Sequence, residues 1–92
     1  MAIEGIARVL EFGARKYARS NWKKGLKVTE IIDSMLRHQV AFLNGEDIDA
    51  ESGLPHPFHI ACNALFLAEM MHIKPEMDDR AHIAHKVCKE DV

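Results

Sequence analysis

Residues 45–63 read GEDIDAESGLPHPFHIACN and decide the fold, because this stretch separates one apolar helical segment from the next. Gly45 has the backbone freedom with which helices often end, while Pro55 and Pro57 suit the first turn of a following helix. We call residues 45–55 the acidic loop, since its four charged side chains are all carboxylates. A loop that only connects two helices needs neither these carboxylates nor the histidines that follow. The stretch therefore predicts a functional site between two helices.

The carboxylates of the acidic loop are close enough along the chain to repel one another unless solvent, a cation or basic partners offset their charge. A bound divalent metal ion is the sharpest hypothesis. The alternative is a solvated acidic turn whose Asp and Ser side chains cap the next helix. The four carboxylates are Glu46, Asp47, Asp49 and Glu51.

Two histidines and an asparagine follow at helical spacing. His56 and His59 are three residues apart, and Asn63 lies four residues after His59. All three side chains therefore project from one helical face near the acidic loop. A buried polar group without a partner costs about 1 to 3 kcal/mol, so His59 and Asn63 need partners. They serve either a site or buried backbone groups.

The apolar residues follow a helical period, and no run alternates as a half-buried strand would. We predict an all-α fold: a compact bundle of about four helices in one domain, residues 1–92. A core of this size is modest, so we also expect a homo-oligomer. Thr29 is the predicted cap of the second helix, and the third helix, apolar on most sides, is predicted to be central. The predicted helices cover about residues 2–18, 29–44, 55–72 and 75–90.

Apolar stripes predict the core of the first two helices. The expected buried residues are Ile3, Ile6, Leu10, Ala14 and Tyr17 in the first helix and Ile31, Ile32, Met35, Phe42 and Leu43 in the second.

Composition and motifs exclude several classes of protein. The net charge is -2 with both signs interspersed, which argues against a protein that coats nucleic acid or anionic membrane. No leader-like or membrane-spanning stretch is visible, so we expect a soluble cytoplasmic protein. Cys62 and Cys88 have no CxxC spacing and are expected to be free thiols. The chain contains no GxGxxG, GxxxxGK[ST], GxSxG or HExxH motif and no adjacent His-Asp pair.

A second cluster, basic and aromatic, comprises Lys16, Asn21, Trp22 and Lys24, with Arg37 further along the chain. Cations can hold phosphate oxygens, a Trp ring can stack on a base, and an Asn amide can hydrogen-bond the edge of that base. Together with carboxylates for a metal ion, these residue types predict metal-assisted phosphoanhydride chemistry at a nucleotide pocket. The alternative is a solvated basic face.

The segments FGARKYARSNWKKGL and LRHQVAFLNGEDIDAESGLPHPFHIACNALFLAEM resemble the N-terminal domain of the phage dATP/dGTP diphosphohydrolase family. The resemblance covers about residues 9 to 69. It implies a small α-helical protein, encoded by a bacteriophage and acting in the host cytoplasm, that cleaves purine deoxynucleoside triphosphates to monophosphate and pyrophosphate. MazG-type pyrophosphohydrolases hold magnesium with ExxE and ExxD pairs, and this chain has no ExxE pair, so their mechanism does not transfer residue by residue.

The resemblance implies roles for individual residues. Ligands for Mg²⁺ or Mn²⁺ would be the carboxylates Glu46, Asp47, Asp49 and Glu51. Groups that orient or deprotonate the attacking water would be His38, His56 and His59. Residues that bind the phosphates or the base would be Lys16, Asn21, Trp22, Lys24, Arg37 and Asn63.

Two other hypotheses stay open. The chain could bind a nucleotide without cleaving it, for example by sequestering a cyclic signalling nucleotide of host immunity, with the pocket built between subunits. It could also be a scaffold with no nucleotide affinity. A metal-dependent hydrolase should need the acidic loop, whereas a protein that only holds phosphates should gain little from four carboxylates.

Overall fold

The structure is a computed structural model that describes residues 1–16 and 21–82. Within these residues it contains three α-helices, two short 3-10 helices and no β-strand, which confirms the all-α prediction. None of the described helices is long and apolar enough to cross a membrane. The α-helices are α1 (Ala2–Lys16), α2 (Val28–Leu43) and α3 (His56–Ile73), and the 3-10 helices are Asn21–Lys24 and Pro75–Met77.

Helix α3 is the centre of the fold, as predicted, because α1 and α2 both pack against it. Val28 and Ile31 of α2 are buried together with Cys62 and Met70, which lie on α3. Helix α1 approaches the start of α3 so closely that a Cβ atom added at Gly5 would lie 2.4 Å from the ring of Phe58. A glycine is therefore required where these two helices meet.

The predicted fourth helix is wrong over the described residues 75–82, and the rest of it, residues 83–90, lies outside them. This segment forms only the 3-10 turn Pro75–Met77 and continues without helix to residue 82. The reason lies in Asp79, whose carboxylate accepts hydrogen bonds from the backbone N–H of Thr29 at 2.9 Å and from its hydroxyl at 2.5 Å. These bonds fold the segment back onto the first turn of α2.

The same contact corrects the predicted cap of α2. The residue at the N-cap is Lys27, and its side chain makes no capping hydrogen bond. Thr29 lies inside the first turn, where its N–H has no acceptor within the helix. The carboxylate of Asp79 supplies that acceptor from outside the helix. Capping here is a tertiary contact, which the local sequence could not reveal.

The predicted apolar stripes are only partly buried. Ile31 is buried, but Ile3 is 82 % exposed, and Phe42 and Leu43 are 44 % and 84 % exposed. Tyr17 lies outside the described residues. Among the described helices α2 packs mainly against α3, and apolar side chains on the outer side of α2 such as Val40 are exposed. The resulting apolar surface is compatible with the expected homo-oligomer, which stays a prediction.

Candidate active site

The path of the acidic loop places its side chains next to the start of α3. Gly45 adopts φ +97°, a conformation that favours glycine, immediately after α2. The N–H of Asp49 then donates to the carbonyl of Leu54 at 2.9 Å, which closes the loop on itself. The N–H of His56 donates to the carbonyl of Asp47 at 3.0 Å, which ties the loop to the first turn of α3.

Three histidines meet beneath this loop, and we call them the histidine cluster: His38 from α2, and His56 and His59 from the first turn of α3. The Nδ1 atoms of His38 and His56 are 2.8 Å apart. The rings of His38 and His59 stack with centroids 4.3 Å apart and an interplanar angle of 6°. His56 is 2 % and His59 8 % exposed. The structure thus brings together all three histidines that the sequence predicted to be catalytic, and their role stays a prediction.

Glu46 and His56 fix the protonation of one ring. Nε2 of His56 lies 2.6 Å from Oε2 of Glu46. An ionised carboxylate can only accept hydrogen bonds, so Nε2 of His56 carries a proton. Nδ1 of His56 then faces Nδ1 of His38, and one proton shared between these two nitrogens completes the hydrogen bond.

Asp49 and Ser52 hold His59 from the other side. The backbone N–H of Ser52 donates to Oδ2 of Asp49 at 2.8 Å, and Nε2 of His59 lies 3.7 Å from the same oxygen. The Ser52 hydroxyl lies 2.6 Å from Nε2 of His59. The ring of His59 is therefore fixed in orientation by polar groups of the acidic loop.

Burial sets the charge state of this region. Burial lowers the pKa of His59, and burial together with repulsion from His59 lowers the pKa of His38. Burial opposes ionisation of Asp49, but the hydrogen bonds from Ser52 outweigh it and lower the pKa of this carboxyl group. Near neutral pH the site therefore combines the ionised carboxylate of Asp49 with the neutral imidazoles of His38 and His59.

The four carboxylates predicted as metal ligands divide into two groups. Glu46 and Asp49 contact the histidine cluster, as described above. Glu51 instead pairs with Lys16, whose Nζ lies 2.6 Å from Oε2 of Glu51. The side chain of Asp47 is exposed, and its backbone carbonyl accepts the hydrogen bond from the N–H of His56 at the start of α3. The sequence showed that the carboxylates are close along the chain, but not which partner each would find.

The predicted substrate-binding residues are also distributed unevenly. Arg37 pairs with Asp33 one turn earlier on α2, with Nε and Oδ2 3.2 Å apart. The amide of Asn63 donates to the hydroxyl of Ser34 at 3.3 Å, which is the partner that its burial required. Lys24 is exposed on the 3-10 helix Asn21–Lys24. The side chains of Asn21 and Trp22, in the same short helix, lie outside the described part of the chain.

A cleft of about 940 Å³ lies between α1 and the pair formed by α2 and α3. Among the lining residues that sequence reasoning did not assign to the site is Phe12, whose ring meets that of His59 edge to face with centroids 6.4 Å apart. The helical period alone does not distinguish Phe12 from an ordinary core residue. The predicted site residues that line this cleft are Lys16, Arg37, His38, Asp49, Glu51, His59 and Asn63.

One set of side chains in the described residues has the spacing of metal ligands. His38, Asp49 and His56 each offer one ligand atom, and these atoms all lie within 4.8 Å of one another. Imidazole nitrogen and carboxylate oxygen are both common ligands of divalent metal ions in proteins. The arrangement could therefore hold one ion at the edge of the cleft.

Comparisons with known proteins show a similarity over most of the chain. Residues 1–80 match the family described as dATP/dGTP diphosphohydrolase, N-terminal. A protein of Salmonella phage PMBT28 named dATP/dGTP diphosphohydrolase is 39% identical over 77 residues, which are 84% of this chain and 26% of that protein. The chain thus spans about a quarter of the length of this relative. No solved structure matches the chain.

Proposed function

The chain belongs to the dATP/dGTP diphosphohydrolase, N-terminal, family, and on that premise we propose that it hydrolyses a purine deoxynucleoside triphosphate to monophosphate and pyrophosphate in a metal-dependent reaction. The observation that carries this proposal is one cleft lined by the buried His59, the carboxylate of Asp49 and two cations, Lys16 and Arg37. Phosphoanhydride hydrolysis needs each of these residue types: a proton acceptor, anionic ligands and groups that offset phosphate charge.

The two cations of the cleft can exchange their present partners for phosphate. Lys16 pairs with Glu51, and Arg37 pairs with Asp33, and all four side chains are more than one third exposed. Exposed ion pairs of this kind contribute only about 0 to 1 kcal/mol. A triphosphate carries several negative charges and can therefore replace either carboxylate. Arg37 can in addition bind two oxygens of one phosphate through its planar guanidinium group.

His59 is the proposed proton acceptor. Its lowered pKa keeps the ring neutral near pH 7, and its Nε2 is held by Ser52 at the wall of the cleft. Water would attack the α-phosphorus, one of its protons would pass to His59, and the bond from the α-phosphorus to the bridging oxygen would break. The products are a deoxynucleoside monophosphate and pyrophosphate. A bound Mg²⁺ or Mn²⁺ would supply positive charge that offsets the triphosphate.

The deoxynucleoside would occupy the apolar part of the cleft. Phe12 contributes an aromatic ring there, and the Asn63 side chain, positioned by Ser34, offers an amide for a base or sugar. Trp22 and Asn21 remain the residues proposed from the sequence to hold the purine. A purine gains from aromatic stacking because its two fused rings give a large contact surface.

The test is to incubate the protein with each dNTP and NTP, with Mg²⁺, Mn²⁺ or EDTA, and to identify the products by chromatography and mass. We expect dAMP or dGMP with pyrophosphate, only when metal is present. His59→Gln should abolish turnover, while His72→Gln, at an exposed position near the end of α3, should retain it. Unchanged nucleotides, or equal rates in the two variants, would contradict the proposal.

Binding without cleavage is the second candidate function, and one observation favours it. Glu46 and Glu51 are each engaged by a side chain of the protein itself, His56 and Lys16. The cleft can therefore hold phosphate through its cations without using all the loop carboxylates for metal. A protein that sequesters a cyclic or other signalling nucleotide would bind it in EDTA and return it intact. Calorimetry in EDTA, with the nucleotide recovered and identified, separates this function from hydrolysis.

A further inference from the structure

We propose that His38, Asp49 and His56 form a site for one divalent transition metal ion, which binds through two imidazole nitrogens and one carboxylate oxygen. This ligand set differs from the all-carboxylate set expected from the sequence, and it favours Mn²⁺ or Co²⁺ over Mg²⁺. The catalytic role of an ion at this site rests on the proposed function, but metal binding itself can be measured without turnover.

The positions of the donor atoms support a single ion. His38, Asp49 and His56 each offer one ligand atom, and these three atoms lie within 4.8 Å of one another. The Nδ1 atoms of the two histidines are themselves 2.8 Å apart. Bonds of about 2.1 Å from one ion to nitrogen or oxygen place neighbouring ligand atoms roughly 3 to 4 Å apart. The two Nδ1 atoms must therefore separate slightly if both bind the same ion.

Glu46 points the correct nitrogen of His56 toward the ion. Its carboxylate accepts from Nε2 of His56 at 2.6 Å, which leaves Nδ1 directed at His38. Histidines that bind metal commonly donate their other N–H to a carboxylate in this way. In the metal-free protein one proton lies between the two Nδ1 atoms. A metal ion takes the place of that proton, since histidine binds metal through an unprotonated nitrogen.

Asp49 is oriented independently of the histidines. The backbone N–H of Ser52 donates to its Oδ2 at 2.8 Å, so the carboxylate has a fixed direction before any ion binds. The three ligands thus come from α2, from the acidic loop and from α3. Ser52 holds Asp49, Glu46 holds His56, and the ring of His38 stacks on that of His59. A site fixed in this way loses little side-chain freedom on binding.

The kind of ligand indicates the kind of ion. Mg²⁺ prefers oxygen ligands and retains several waters, whereas imidazole nitrogen favours transition metal ions. The alternative all-oxygen site has less support, because in the described residues the four carboxylates of the acidic loop supply no set of three ligand atoms at this spacing. Two nitrogens and one oxygen leave further coordination positions for water or phosphate oxygens.

The test uses the full chain, freed of metal with EDTA and dialysed, and titrated separately with Co²⁺, Mn²⁺ and Mg²⁺. Calorimetry gives stoichiometry and affinity, and the visible spectrum of Co²⁺ reports nitrogen coordination. We expect one Co²⁺ or Mn²⁺ per chain and weaker binding of Mg²⁺. His38→Gln should weaken binding at least tenfold, and Glu46→Gln, at a positioning residue, about 10- to 100-fold. His72→Gln is the control for adventitious binding by an exposed histidine and should bind as the wild type does.

Circular dichroism shows whether each variant keeps its helical fold, and only variants that do are compared in metal binding. The proposal is overturned if the folded wild type binds neither Co²⁺ nor Mn²⁺, if Mg²⁺ binds more tightly, or if Asp47→Asn abolishes binding while His38→Gln does not. Metal binding without nucleotide hydrolysis would refute the proposed function and leave this site standing. Turnover with Mg²⁺ that is unaffected by His38→Gln would refute this metal site and leave the proposed function standing.

Discussion

The carboxylate of Glu46 lies 2.6 Å from Nε2 of His56, ten residues further along the chain, and it is the partner of a ring that is only 2 % exposed. This pair connects the start of the acidic loop to the first turn of α3. It also determines which nitrogen of His56 is available to His38. The pair therefore contributes both to stability and to the site.

Glu46→Ala should lower the free energy of unfolding by about 1 kcal/mol, because it leaves the buried N–H of His56 without its acceptor. This value is at the lower end of the range for a buried polar group without a partner. The Glu46 side chain is 55 % exposed, so water can replace the removed carboxylate as the acceptor. Urea denaturation measures the effect. The control is Glu69→Ala on the exposed surface of α3, which should change stability by less than about 0.5 kcal/mol. Equal effects would show that the Glu46 contact is not stabilising.

Gly5→Ala should destabilise the protein by about 1 to 3 kcal/mol, because the new Cβ atom would lie 2.4 Å from the Phe58 ring and force α1 or the ring to move. Gly13→Ala, in the same helix, is the matched control. No atom lies within 4 Å of its added Cβ, so it should stabilise α1 by about 0.5 to 1 kcal/mol through helix propensity. Thermal unfolding of the two variants compares these effects directly. A Gly5→Ala protein as stable as Gly13→Ala would disprove the close packing of α1 on α3.

Asp79→Asn should lower the midpoint of thermal unfolding at pH 7 and weaken its dependence on acid pH. Hydrogen bonds from Thr29 lower the pKa of Asp79 below its ordinary value of 3.8. A carboxyl group whose pKa is lowered by folding contributes stability that is fully present above its unfolded-state pKa. This stability is lost as the pH falls through the folded-state pKa. Unfolding midpoints between pH 2 and pH 7 measure the profile, with Glu76→Gln as an exposed control. Parallel profiles for wild type and Asp79→Asn would count against the contact.

Cys62 should react slowly with a thiol reagent in the folded protein. It is 2 % exposed, and burial raises the pKa of its thiol to about 11. At pH 8 only roughly one thiol in a thousand would be ionised, and the thiolate is the reactive form. The Cys88→Ser variant isolates Cys62 for measurement with Ellman's reagent. We expect slow reaction in buffer and fast reaction in urea, and equally fast reaction in both would contradict the burial of Cys62.

Glu51→Gln should leave nucleotide binding unchanged or stronger, because it removes a carboxylate, 2.6 Å from Nζ of Lys16, that competes with phosphate for this cation. Lys16→Gln should weaken binding by about tenfold, equivalent to about 1.4 kcal/mol. Calorimetry with dATP and dGTP measures both variants, at low and high salt. Loss of binding in Glu51→Gln would instead support the sequence-based assignment of Glu51 as a metal ligand.

Local sequence was a good guide wherever a structural feature depends on neighbours along the chain. Helical periodicity located α1, α2 and α3, Gly45 marked the end of α2, and the spacing of His56 and His59 placed both rings on one face of α3. It failed for residues 75–82, because the interaction that prevents a helix there is with Thr29 on α2. Periodicity also overestimated the core, since an apolar stripe does not specify whether another helix covers it.

Residue order and spacing were enough to predict a helical chain, to predict histidines and carboxylates near one junction, and to identify the family as that of the dATP/dGTP diphosphohydrolase N-terminal domains. Those features follow from residue spacing, which a sequence states directly. The partners of the carboxylates, in contrast, depend on the three-dimensional fold: Glu46 contacts His56, Asp49 lines the cleft and Glu51 pairs with Lys16. The reason is that a carboxylate pairs with whichever donor the fold places within hydrogen-bond distance, and those donors come from α3, from α1 and from the acidic loop itself.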